Sequence, residues 1–156
     1  MKKYELLEKS ANGLYRIRAL KDFSNVKAGD LGGFVEHESN LSHYGNCWVS
    51  ANAKVFGNAC VFEDACVLGT AQVYGTAWVD ENACVYGDAC VYGDAWVYGD
   101  ASVYGNASVY GNARVGGYTE VYGDARVFGI AEVFEDAEIN GNASVYGDEQ
   151  YAQEKA

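Results

Sequence analysis

A β-branched aliphatic residue occupies every sixth position from Val49 to Val145. Seventeen slots in succession obey the rule, and Ile139 is the one that is not valine. Two residues before each lies a small residue, Cys47 first and alanine from Ala53 onward, with Thr119 the other exception. The repeating unit reads A-x-V-Y-G-(D/N). Within A-x-V-Y the side chains alternate, so alanine and valine point one way and x and tyrosine the other. Valine suits a strand. Glycine followed by Asp or Asn suits a tight bend, because these residues tolerate positive φ. A helix does not fit, since a period of six does not match 3.6 and each unit carries a glycine. The pattern therefore predicts very short strands joined by corners. Stacked at about 4.8 Å, they bury a continuous Val/Ala column that no single unit could form alone.

The number of units per coil shows at the corners. Glutamate replaces the corner glycine at Glu63, Glu81 and Glu135, and these three share one corner if a coil has 18 residues. Ala51 is the other departure at that slot before Val145. The spacing of the aromatic residues does not decide between 12 and 18.

The unit closely resembles that of the hexapeptide-repeat proteins over residues 43–148. That resemblance implies an all-β fold, a left-handed parallel β-helix of triangular section with about six coils of 18 residues. Such a rod is roughly 27 Å long. The first residues differ. The stretch "YELLEKSANGLYRIRAL" holds an Asn-Gly turn between two strand-like runs and predicts a β-hairpin. We expect residues 1–30 to form a hairpin cap over the open N-terminal edge, which would otherwise invite aggregation. Residues 31–148 form the helix and 149–156 a tail. Leu41 and Val49 are eight apart rather than six, which predicts a two-residue bulge near His43. The segment "DFSNVKAGDLGGFVEHESNLSHYGNCWV" also resembles the opening of a bacterial and prophage family of acetyltransferase-like hexapeptide proteins.

Charge narrows the partners. Residues 1–42 hold seven Lys/Arg and six Asp/Glu, whereas residues 43–148 hold three and fourteen. An acidic repeat disfavours direct binding to nucleic acid or to anionic membranes. No apolar run approaches the roughly 20 residues of a membrane helix, and no signal-peptide pattern opens the chain. The expected compartment is the cytoplasm of a bacterium, or of the host if the chain is phage-encoded. Five cysteines without a CxxC pair or C/H spacing give no support for a zinc site, and no metal or cofactor is expected.

Candidate chemistry is sparse. Hexapeptide acyltransferases use a histidine base and hold acyl-CoA between subunits of a trimer. The two histidines here, His37 and His43, precede the regular coils, and the repeat from Trp48 onward has neither a histidine nor an inserted loop. Cys47 falls on the inward slot. Cys60, Cys66, Cys84 and Cys90 fall on the outward slot, with Cys66 and Cys84 one coil apart and within disulfide reach. They read as small side chains of a packed face.

The outward slots carry the most information. With 18-residue coils, Phe56, Tyr74, Tyr92, Tyr110, Phe128 and Tyr146 form one column. Trp78 and Trp96 stack on a second face, and Trp48 opens the third. Such aromatics stabilise neighbouring strands and also mark contact surfaces. Asp64, Asp100 and Asp136 share an edge, beside Glu63, Glu81 and Glu135. The expected function is a non-catalytic binding or scaffold protein that forms a homo-oligomer, most simply a trimer, and meets an unidentified protein or small molecule through these aromatics. Two alternatives stand beside it. One is an acyl-CoA-dependent acyltransferase with His37 or His43 as base. The other is a phage anti-defence protein, either an acidic DNA mimic or a sponge for a ligand.

Overall fold

A computed structural model describes residues 2–147 and 150–152, the last three by backbone alone. It is a parallel β-solenoid of about six coils. From Trp48–Val49 to Ser144–Val145 a strand recurs every six residues, nearly all of them two residues long. Successive strands belong to three different sheets, so each strand pairs with the strand 18 residues away. Cys84–Val85, for example, lies in register between Cys66–Val67 and Ser102–Val103. The 18-residue coil implied by the glutamate corners is therefore observed.

The unit explains each contact. The valines of the slot series and, as far as Ala137, the alanines two before them are buried, and they fill the interior as one continuous core with Ala143 partly buried against it. Cys47 occupies an alanine position and is buried as expected. Backbone amides bond upward in a fixed pattern: Cys84 N–H to Ala101 O at 2.9 Å, Tyr86 N–H to Val103 O at 2.9 Å and Asp88 N–H to Gly105 O at 2.8 Å. Ala89 N–H to Tyr86 O at 3.3 Å closes the bend. Each corner residue sits at positive φ, as at Gly93 (φ 66°). A Cβ on Gly93 would lie 2.9 Å from the backbone nitrogen of Gly111 in the next coil. Glu63, Glu81 and Glu135 adopt the same conformation, with φ of 59°, 56° and 60°. Two of these side chains do work that glycine cannot. The carboxylate of Glu63 accepts the Glu81 N–H at 3.1 Å, and that of Glu81 accepts the Gly99 N–H at 2.9 Å.

The expected hairpin forms at the start, and a third strand joins it to the coil. Three antiparallel strands, β1 (Tyr4–Lys9), β2 (Tyr15–Ala19) and β3 (Leu31–Val35), run side by side. β3 also pairs parallel with Lys54–Val55, so the cap continues one solenoid sheet and its last strand is the first of the coil. Val35 and Leu41 pair with Val55 and Val61, 20 residues on, whereas Val49 pairs with Val67, 18 on. The two extra residues thus fall between Leu41 and Val49, as the spacing required. At the far end Gln150–Ala152 pairs with Glu132–Phe134, so part of the expected tail extends a sheet. No described helix is long and apolar enough to cross a membrane.

Two substitutions test the packing from opposite sides. Thr119 is buried at an alanine slot, and its hydroxyl has no hydrogen-bond partner among the described residues. Thr119→Ala should raise stability by about 1 kcal/mol in denaturant unfolding, because the orphaned hydroxyl is removed. Gly93→Ala should lower it by about 1–2 kcal/mol, since an L side chain is forced into the left-handed region against the next coil.

Candidate functional site

The two histidines lie at the N-terminal knot, where β1 crosses the segment after β3. Lys3 and Tyr4 are both buried there. The Tyr4 hydroxyl lies 2.5 Å from the Leu41 carbonyl oxygen and 2.8 Å from that of Glu38. Its ring stacks on His43 at 4.2 Å. The backbone N–H of Lys3 donates to His43 Nδ1 at 3.1 Å, which leaves Nε2 to donate to Glu38 Oε2 at 2.6 Å. With its acceptor nitrogen already engaged, neutral His43 has no lone pair to offer a substrate. Lys2 also pairs with Glu38 at 3.0 Å, and these two partners hold the Glu38 carboxyl below its usual range. His37 is exposed, 3.6 Å from Glu36. The structure does not bring the histidines into one site.

Lys3 was not legible as part of this knot. Its ammonium donates to the carbonyl oxygens of Cys47 at 2.7 Å and Gly45 at 3.2 Å, and lies 4.8 Å from the centre of the Phe23 ring. Burial lowers its pKa. Trp48 departs from its expected outward place. It is only 7% exposed, because the cap folds over it: the rings of Phe23 and Tyr4 meet it edgewise at 5.2 and 6.3 Å.

The Phe56–Tyr146 column forms as the period required. Its rings lie nearly parallel, with centroids 4.8 to 5.2 Å apart from Phe56 through Tyr74, Tyr92, Tyr110 and Phe128 to Tyr146. Tyr86, Tyr104 and Tyr122 make a shorter ladder on another face. Stacking covers the ring faces with one another and leaves mainly edges and hydroxyls outward. Asp64, Asp100 and Asp136 are exposed on the expected edge, with Glu63, Glu81 and Glu135. Asn82 and Tyr118 interleave the three aspartates along the 18-residue period.

The second face, that of Trp78 and Trp96, breaks the regularity. At its tyrosine slots stand Phe62, Asp80, Tyr98, Gly116 and Phe134. Asp80 is only 5% exposed, and its Oδ1 accepts the Trp96 indole N–H at 2.7 Å. This bond turns the Trp96 ring, so Trp96 and Trp78 meet edge to face at 84° with centroids 6.0 Å apart rather than stacking as expected. Trp78 is left 47% exposed. Tyr98 leans onto Trp96 at 4.7 Å, over Gly116, where any Cβ would strike the Tyr98 ring at 2.3 Å. The guanidinium of Arg114 lies 5.7 Å from the Trp96 ring centre. Thr76, Trp78, Asp94, Ala95, Trp96 and Arg114 together line an open recess of about 390 Å³. The signal in the sequence was Asp80 itself, an acid where the repeat has an aromatic.

Carboxylates of Glu63, Asp80 and Glu81 lie within 4.8 Å of one another behind this recess. Burial is the main cause that pushes the Asp80 carboxyl up to about 6, and the charges of Glu63 and Glu81 add to it. The Trp96 N–H opposes the shift. No family model matches this chain, and a search of curated proteins finds no match to it.

The sign of the Asp80 effect follows from linkage. Its folded pKa of about 6 lies above the ordinary 3.8, so the folded state binds the proton more tightly. The contribution of Asp80 to stability is greatest below the ordinary value and is lost as pH rises through about 6. Asp80→Asn keeps an acceptor for Trp96 and removes the titration. Its melting temperature relative to wild type should rise between pH 4 and 7 and level off above, as measured by circular dichroism across that range.

Proposed function

We propose that this chain is a non-catalytic binding module. In this reading the solenoid is a rigid support and the Trp78–Trp96–Arg114 recess is the contact site. The observation that carries it is the local break in the aromatic ladder. There a half-exposed indole, a guanidinium and the Thr76–Asp94 pair converge on a concavity of a size that suits a small ligand or one projecting side chain. An exposed indole and an arginine are the residue types that dominate binding energy at contact sites. Planar groups fit best, since both the indole edge and the guanidinium plane favour stacking. The buried Asp80 bond fixes the Trp96 ring before a ligand arrives, which lowers the cost of binding.

The repeat unit and the 18-residue coil support placing the chain with the hexapeptide-repeat β-helices. The fold alone does not bring their acyl transfer, and the engagement of both His43 nitrogens speaks against that alternative. A homo-oligomer, most simply a trimer, remains part of the proposal. Its packing face would be the Phe56–Tyr146 ladder, whose outward edges end at exposed Tyr146.

The test compares wild type with a Trp78→Ala, Arg114→Ala double variant, both shown to be folded. Extract of the source cells is passed over each, and bound small molecules and proteins are identified by mass spectrometry. Wild type should retain a component that the variant loses at least tenfold, since two contact residues of about 1 kcal/mol or more are removed. Equal retention overturns the assignment of the recess. Acetyl transfer from acetyl-CoA, abolished by His43→Gln or His37→Gln, would establish the acyltransferase instead.

A further inference from the structure

Five cysteines lie in the chain, all of them free thiols in this structure. Cys47 is buried in the interior. Cys60 pairs across the sheet with Trp78, and Cys90 lies between Gln72 and Ser108. Cys66 and Cys84 alone face one another, as Cα partners on neighbouring parallel strands, with Val67 opposite Val85 beside them. Both are half-buried, so solvent reaches the pair.

We infer that Cys66 and Cys84 form a reversible disulfide between two neighbouring coils, made by exchange with a low-molecular-weight disulfide. Adjacent strands place the two Cα atoms about 4.8 Å apart, inside the window that a disulfide spans. Side chains leave the two strands in the same direction, so the Cβ atoms start near that same spacing of about 4.8 Å and must draw together by a few tenths of an ångström to bond. Such a bond is under tension and easily reduced, which suits a reversible link rather than a permanent staple.

The chemistry divides between the two sulfurs. The neighbouring Cys84 lowers the Cys66 thiol, against the opposing effects of burial and of Asp64. Cys84 is pushed up by Cys66 and by burial. Cys66 is therefore the attacking thiolate. It bonds to one sulfur of the small disulfide and expels the other as a thiolate. Cys84 then gives up its proton, attacks the Cys66 sulfur and expels the second small thiolate. Two protein thiols and one small disulfide thus become one protein disulfide and two small thiols. The link closes the chain from residue 66 to 84 into a ring of one full coil. That ring contains Trp78 and Asp80, but the inference does not depend on what the recess binds.

The full chain is incubated with oxidised glutathione, and its products are mapped by intact mass and by peptide mass spectrometry without reduction. The expected product is a single Cys66–Cys84 crosslinked peptide that has lost two hydrogens, with both thiols restored by dithiothreitol. Cys84→Ser should instead accumulate glutathione on Cys66, because the resolving thiol is gone. Cys60→Ser and Cys90→Ser should leave the crosslink unchanged. Stable glutathione adducts on Cys66 or Cys84 of the wild-type chain, without the crosslink, would overturn the inference. So would reaction at Cys60 and Cys90 while Cys66 and Cys84 stay reduced.

Discussion

From Trp48 onward each strand of the solenoid lies on its counterpart 18 positions away, and that self-stacking governs everything else. A side chain tolerated once must be tolerated against its own kind, coil after coil. Valine on valine fills the interior without a gap, and alanine beside it leaves room for the narrow section. Tyrosine on tyrosine gives parallel rings about 5 Å apart, the spacing of the strands themselves. Glycine on glycine lets the corner backbones approach within a distance that a Cβ would contest. Where Glu63 and Glu81 take the corner, their carboxylates compensate by accepting an amide of the next coil.

The same constraint explains why chemistry is scarce. An active site needs unlike groups at one place, and self-stacking supplies like groups in rows. Unlike groups meet only where a row is interrupted. The described chain has two such places of note. At the N-terminal knot the histidine is consumed by structure, its two nitrogens held by Lys3 and Glu38. At the second face a buried acid replaces an aromatic, and the neighbouring indole turns to meet it. The acid pays for its burial by keeping its proton longer than an ordinary carboxyl.

What the sequence disclosed followed from periodicity. The Val/Ala interior, the coil length and the extra residues between Leu41 and Val49 could all be counted. Trp48 was assigned outward by the same counting and lies buried, because the cap that covers it has no period to count. Lys3 was invisible for a related reason. Nothing local marks a lysine for the interior, and its partners are carbonyl oxygens more than 40 residues away. Asp80 was visible as an exception, but its burial depends on Trp96 in the next coil. The edge-to-face tryptophans depend in turn on Asp80. Repeats reveal position well and orientation poorly, since a ring can fill its slot in more than one way.

The division of one coil among three faces has a consequence for how such a chain changes over generations. Consider the gain or loss of one six-residue unit like those between Cys84 and Ala113. The interior accepts any whole unit, because valine still lands on valine. The surface does not. One unit more or less turns every later column by a third of a circle, so ladders, corners and recess fall out of alignment with the coils before them. Only a change of three units restores the columns. A change of length that keeps the surface columns thus comes in steps of eighteen residues, although the core repeats in steps of six.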